Sequence, residues 1–403
     1  MTHDPIPSLI LPAGEKILLL VLDGLGDLPR PGMGGVTPLE VARTPQLDRL
    51  APASALGRIL PVAPGITPGS GPAHLALFGY DPLATEVGRG VLEALGAGLE
   101  LRPGDIAARA NFCTLDEAGI VTDRRAGRIS SEECARLVGL LQEAHVRIGE
   151  VEVILRPGKG HRFVAVFRDS GLAEGVSDAD PHREGLPIPA ARALAPAAER
   201  TAHIVNTFVQ GARRALANQQ PANGVLMRGI SARPNLPGYA DRFRLRAAAV
   251  AAYPMYRGVA QLAGMEVLAT GESVAQEFTT VASFWNQFDF FFVHVKATDM
   301  AGEDGDFDAK VAAIEEVDLA LPTLLGLKPG VFCVTGDHST PVAVKGHSWH
   351  PVPVMIHAPR CGADGLARFH ERHARQGSLG TMESRHLMAV LLANAGRLDK
   401  FGA

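Results

Sequence analysis

Short apolar runs ending in turns, separated by stretches of helical period, fill both ends of the chain. KILLLVLDG at 16–24 predicts a buried strand running into an Asp-Gly turn. Thr37-Pro38-Leu39-Glu40 then starts a helix, with Thr37 as cap, Pro38 at its first position and Glu40 closing a capping box. ALGRILPV at 55–62 reads as a strand. PGITPGSGPAHLALFGYDP at 64–82 is a Gly/Pro-rich turn feeding a short apolar helix, and helical period returns from Val91 to Leu95. From about 221 the alternation resumes: GVLMRG, LRAAAVAAY, DFFFVHVKA and GVFCVTG have strand length, with helical stretches at 273–287 and 308–326. Strands apolar on both faces and alternating with helices predict a mostly parallel sheet covered on both sides.

Residues 104–220 follow a different pattern. DIAARANFCTLD and AGIVTDRRAGR are strand-like and meet at a tight Ala-Gly turn. A helix starts at Ser130, with Glu133 three residues on and a stripe of Cys134, Leu137, Val138 and Leu141. VEVILRPGKGHRFVAVFRD reads as a hairpin, and a helix over about 198–218 repeats Ile204, Phe208, Ala212 and Leu216 every four residues. The expected organisation is an α/β core, 1–103 and 221–403, carrying an inserted α+β domain, 104–220. No internal repeat is visible.

Composition narrows the function. With 46% apolar and 20% charged residues in 403, a large core is available and disorder is excluded. A net charge of −4 and 5% aromatic residues argue against a nucleic-acid binder. Cys113, Cys134, Cys333 and Cys361 lack metal-knuckle or CxxC spacing and suit a reducing compartment. No signal-peptide pattern opens the chain and no apolar run approaches twenty residues. A cytoplasmic location with no membrane partner is expected, and the oligomeric state stays open.

The chemistry sits where buried strands end. Asp23 follows ILLLVL, Asp299 follows FFFVHVKAT, and Asp337-His338 follows VFCVTG; His347 precedes the apolar run VPVMIHA. Ligands of open α/β sheets bind at the carboxyl ends of strands. A mixed oxygen and imidazole set there suits Mn, Zn or Mg. Taken singly, each Asp also reads as a turn or cap residue. Ser70, in a glycine-flanked turn opening a helix, is the candidate nucleophile, with an ordinary N-cap serine as the competing reading. Thr67 reads as a turn residue, His74 as a packed helix residue and His294 as a packed strand residue.

TPGSGPAHLALFGYDP, GDIAARANF, RRAGRIS, DPHREG, HVKATD followed by AGEDGDF, and VTGDHSTPV together resemble the archaeal-type, cofactor-independent phosphoglycerate mutases of the alkaline-phosphatase-like metalloenzyme superfamily. The resemblance runs from about residue 15 to 395. It implies a phosphatase-like α/β core with an inserted domain, two divalent metals and a phosphoserine intermediate. It also implies interconversion of 3- and 2-phosphoglycerate in glycolysis and gluconeogenesis. Ser70 matches the phosphorylated serine. Asp23, Ser70, Asp337 and His338 match one metal site; Asp299, position 303 and His347 match the other. Here Glu303 stands where the family usually has histidine. A carboxylate hardens that site and favours Mn or Mg, with Zn or Co admitted; the alternative is a weak or empty second site.

A mutase must also hold glycerate while its hydroxyls exchange, and it must exclude water. Arg124, Arg125, Arg128, His182, Arg183 and Arg228 are the candidate anion clamp, each with a solvated surface side chain as the competing reading. Asp123 and Asp180 either orient these arginines or cap turns. Lys296 is expected to face the substrate phosphate, or else to form an ion pair at the core's edge. The substrate would be a small phosphorylated three-carbon acid. A metal-dependent phosphomonoesterase, another phosphotransferase, or a decayed binding protein are the alternatives on the same core.

Overall fold

A computed structural model describes residues 5–85 and 87–402. The chain forms two compact units, Met1–Glu86 with Leu236–Ala403, and Val87–Asn235.

The larger unit is built on an eight-stranded sheet. Its order is Glu266–Val267, Ala247–Ala251, Phe290–Val295, Ile17–Leu22, Val331–Thr335, Val352–His357, Ala55–Leu60, Gly380–Glu383. Ile17–Leu22 is central and buried at every position, as are Phe290–Val295 and Val331–Thr335 on either side of it. Such strands carry no solvent face, so both sides of the sheet are covered. Both neighbours run parallel to Ile17–Leu22, with Leu22 level with Val295 and Val21 with Thr335. Their carboxyl ends therefore finish together. Val352–His357 runs antiparallel to Val331–Thr335. Its entry loop thus arrives at the edge where the parallel strands leave.

Thr37 and Glu40 form the expected capping box. The helical stretches resolve as Val274–Phe284, Phe307–Ala320 and Pro322–Leu325. Lys310, on Phe307–Ala320, is wholly buried. Its ammonium meets Asp27 Oδ2 at 2.8 Å and the carbonyls of Gly24, Gly26 and Thr340 at 2.9, 3.3 and 2.9 Å. Asp27 in turn accepts from the backbone of Val342 at 3.2 Å. One lysine thereby ties the turn after Ile17–Leu22 to the turn after Val331–Thr335. Among the described residues no helix is long and apolar enough to cross a membrane.

The smaller unit has a six-stranded antiparallel sheet. Val121–Asp123, Ile106–Leu115, Arg162–Arg168, Val151–Pro157 and Arg147–Ile148 follow one another, and Gly224–Ala232 also pairs with Ile106–Leu115. Helices Ser131–Ala144 and Glu199–Ala215 bury the predicted stripes, Cys134, Leu137, Val138 and Leu141 from one, Ile204, Phe208 and Ala212 from the other. Ser130 caps the first of them through the Glu133 amide.

The unit boundaries differ from the expected 103/104 and 220/221. GVLMRG does not join the parallel sheet; it lies antiparallel to Ile106–Leu115, with Met227 opposite Ala110. A short apolar run does not reveal which sheet it enters. Arg228 consequently belongs to the smaller unit. Helix Arg89–Gly96 does too, because it rests directly on a strand of that sheet: a Cβ on Gly90 would lie 2.5 Å from Ala108 Cα.

Gly90→Val should therefore destabilise the protein by about 1–3 kcal/mol through overpacking, read as a lower melting temperature; an unchanged one would contradict the packing. Lys310→Met leaves Asp27 buried without its cation and should cost about 3–5 kcal/mol. Urea denaturation checks this, and a loss within error of zero would show that the ion pair does not hold the two turns.

Candidate active site

The level strand ends deliver Asp23, Lys296, Asp299, Asp337 and His338 to one edge. Asp23 sits in the Asp-Gly turn the sequence predicted. Gly24 has φ +63°, and a Cβ there would lie 2.5 Å from Thr340 Oγ1, so the turn needs glycine. Its freed amide bonds Asp337 Oδ1 at 3.1 Å. Asp23, Asp299, Asp337 and His338 are all fully buried.

The histidine tautomers follow from their partners. Thr340 Oγ1 donates to Asp299 Oδ1 at 2.6 Å, so it must accept from His338 Nδ1–H at 3.0 Å. His338 Nε2 then carries a lone pair. It faces Asp337 Oδ2 at 3.1 Å and Asp23 Oδ1 at 3.3 Å, two buried oxygens with no hydrogen-bond partner. His347 Nδ1 is likewise fixed as a donor by the Pro68 carbonyl at 3.0 Å. Its Nε2 lone pair points toward Asp299 Oδ1 at 3.7 Å and Glu303 Oε1 at 4.0 Å. Acceptors converging without donors are costly in a dry interior and form a natural cation site. Among the described residues two groups have ligand atoms within 4.8 Å of one another: Asp23, Asp337 and His338, and Asp299, His338 and His347. His338 belongs to both, although the resemblance allots it to one. Glu303 lies outside them, its side chain 55% exposed and its carboxylate at the rim.

Ser70 opens helix Ser70–Leu77 and is not its cap; Gly69 is. The Ser70 hydroxyl instead lies 3.5 Å from His338 Nε2. His74, one turn on, donates from Nδ1 to the Ser70 carbonyl at 2.8 Å and approaches Asp337 Oδ2 at 3.3 Å. Burial drives its pKa down to about 3, so it stays neutral.

Charge is unevenly shared. Burial alone would raise Asp23, but contact with His294 and the Lys296 charge hold it well below the usual carboxylate range. Burial, with the neighbouring Asp23 charge, pushes Asp337 well above it. Lys296 supplies the local cation, 2.9 Å from Asp23 and 2.5 Å from Asp299. The ion pair of the second reading is present, and the lysine carries a raised pKa in spite of burial. His294 is packed in its strand as expected, yet its Nε2 also lies 3.3 Å from Asp23 Oδ2. Thr298 and Thr340 lie inside the motifs HVKATD and VTGDHSTPV without being singled out there, and Tyr256 lies outside every motif. Tyr256 and Thr298 hydrogen-bond the Asp23 carboxylate and carbonyl, and nothing in YPMYRG signals it.

In the smaller unit, Asp180 is the organiser. It takes Arg124 in two bonds of 3.2 and 2.7 Å, lies 3.4 Å from Arg228 Nε and accepts from the His182 amide at 2.7 Å. Asp123 instead caps its turn through the amides of Arg125 and Gly127. Arg125, Arg128, His182 and Arg183 are exposed. The sheet adds basic residues that the sequence did not single out: Arg109 stands opposite Arg228, and Arg162 opposite Asn111. Glu93 pairs with Arg109 at 3.3 Å. Burial, then the charges of Arg162 and Arg109, bring neighbouring His161 down to about 4.

Residues 51–223 match the family described as 2,3-bisphosphoglycerate-independent phosphoglycerate mutase. A Thermosipho africanus protein named a probable mutase of that kind is 51% identical over 99% of this chain and 98% of its own length. A Thermus thermophilus protein of the same name is 51% identical over 96% of each. Among solved structures, a Pyrococcus horikoshii protein superposes with a TM-score of 0.84 at 32% identity, covering 97% of this chain and all of its own. The cofactor-independent phosphoglycerate mutase of Thermoplasma acidophilum gives 0.72 at 32% identity, over 95% of this chain and all of its own. With half its residues shared along nearly its whole length, and with the fold of a solved member, the chain belongs to the 2,3-bisphosphoglycerate-independent phosphoglycerate mutase family.

Proposed function

We propose that this protein interconverts 3-phosphoglycerate and 2-phosphoglycerate through a phosphoserine on Ser70, without 2,3-bisphosphoglycerate. The observation that carries the proposal is an uncapped Ser70 hydroxyl beside the buried lone pairs of His338, Asp23 and Asp337. The setting would be cytoplasmic glycolysis and gluconeogenesis.

Asp23, Ser70, Asp337 and His338 would hold one divalent cation; Asp299, Glu303 and His347 would hold the second. Bound there, the pair lowers the pKa of a hydroxyl and neutralises charge on a phosphoryl group. The oxygen-rich donor set supports Mn or Mg over Zn or Co. Lys296 acts as counter-charge to Asp23 and Asp299.

The Ser70 oxygen bonds to phosphorus in line with the departing C3 oxygen, and that bond breaks. Ser70 gives up one proton and the C3 oxygen takes one. Arg124, Arg125, Arg128, Arg183 and Arg228 would retain glycerate through their guanidinium groups and His182 through its imidazole, with Arg124 and Arg228 oriented by Asp180. The C2 hydroxyl then attacks the phosphoserine, releases its proton, and Ser70 leaves reprotonated. Retention of glycerate is what separates this cycle from hydrolysis, in which water takes the C2 oxygen's place.

Ser70→Ala should abolish mutase turnover, followed by coupling 2-phosphoglycerate formation to enolase, while the melting temperature stays near that of the parent. Turnover in that variant would eliminate the phosphoserine route. In the parent, release of free phosphate without 2-phosphoglycerate would mean a phosphomonoesterase. Glu303→His should move the metal preference toward Zn, measured as activity and bound metal after reconstitution of chelator-treated protein with Mn, Mg, Co or Zn. An unaltered preference would remove Glu303 from the ligand set.

A further inference from the structure

The two oxygens of Asp23 keep different company. Oδ2 receives the Tyr256 hydroxyl and the Lys296 ammonium, the latter at 2.9 Å, and His294 Nε2 approaches at 3.3 Å without hydrogen-bond alignment. Oδ1 has no partner and faces His338 Nε2 at 3.3 Å. A carboxylate free to rotate could offer either oxygen, or both, to a cation. This one is prevented from doing so.

The two donors on Oδ2 are not equivalent. The Lys296 ammonium is divided between carboxylates, reaching Asp299 Oδ2 at 2.5 Å as well. It therefore pulls Asp23 toward Asp299 as readily as it holds it. Tyr256 has one proton and gives it to Asp23, while its oxygen accepts from Lys296 at 3.1 Å. Its ring is fully buried and stacks on His294 at 3.6 Å and 23°, with His74 at 4.8 Å on another side. A stiff, packed ring fixes the direction of its hydroxyl, which a lysine stem does not. Outer partners of this kind orient ligands and tune affinity.

We infer that Tyr256 is a positioning residue that makes Asp23 a one-oxygen ligand, holding Oδ2 so that Oδ1 is the atom presented to a divalent cation. The inference rests on the proposed role of Asp23 as a ligand. It also assigns Lys296 a dependent place, since the phenol oxygen is one of the ammonium's three acceptors.

The test uses the full chain freed of metal by chelation, titrated with Mn²⁺ by calorimetry and by electron paramagnetic resonance, for the parent, Tyr256→Phe and Asp23→Asn. Tyr256→Phe keeps the ring and its stacking, so the metal-free melting temperature should hold. One Mn²⁺ affinity should fall roughly 10–100-fold while the other stays, and the reloaded enzyme should lose kcat with little change in KM for 3-phosphoglycerate. Unchanged Mn²⁺ affinities in Tyr256→Phe, with a loss in Asp23→Asn, would overturn the positioning role alone. Unchanged affinities in Asp23→Asn would overturn the ligand assignment itself. A lower melting temperature with both affinities weakened alike would mark Tyr256 as packing only, and would also overturn the inference.

Discussion

Everything at the strand-end edge depends on burying more negative charge than the protein's own cations can balance. Asp23, Asp299 and Asp337 are all fully buried, and Lys296 is the cation placed between two of them. An unpaired buried carboxylate costs several kcal/mol. The strain shows in Asp337, whose pKa burial and Asp23 together drive upward. The turns bearing these residues accordingly need external ties. Lys310 supplies one, joining both turns through three carbonyls and Asp27. Thr340 supplies another, linking Asp299 to His338 and setting the tautomer. The edge is rigid in its donors and deficient in positive charge, which is what a divalent cation requires of a site.

That edge was legible in the sequence for a simple reason. Strands buried on both faces announce themselves as continuous apolar runs, and the residue after each run must lie at a sheet edge. Asp23, Asp299 and Asp337-His338 follow directly, and His347 follows once Val352–His357 is known to run the other way. Tyr256 was not legible, because it enters from a helix whose pattern is ordinary and its role depends on a single hydroxyl meeting Asp23. The placement of GVLMRG failed for a related reason. Its apolar run is as compatible with an antiparallel sheet as with a parallel one, and only pairing with Ile106–Leu115 decides. Lys296 illustrates the remaining limit: its position was readable, but which neighbour claims its charge is a matter of ångströms.

The smaller unit solves the opposite electrostatic problem. Its basic residues would repel one another, and single carboxylates hold them apart in fixed directions. Asp180 takes two bonds from Arg124 and stands beside Arg228, while Glu93 pairs with Arg109. Guanidiniums already oriented lose less freedom when an anion arrives. The chain's small net charge of −4 therefore averages two unlike regions, acidic donors in one unit and ordered arginines in the other.

This division also bears on how the proposed mutase reaction would avoid hydrolysis. Nothing in the ligand geometry distinguishes water from a second hydroxyl as the group that relieves phosphoserine. Ser70 sits at the opening of its helix, its hydroxyl uncommitted to the cap, and would be equally open to either. The choice must be made by whatever keeps glycerate present longer than water takes to attack. On the proposed function, specificity would lie in the arginines and catalytic power in the carboxylates. Loss of an oriented guanidinium should then convert transfer into hydrolysis before it abolishes phosphoserine formation, whereas damage to the carboxylate edge should remove both together.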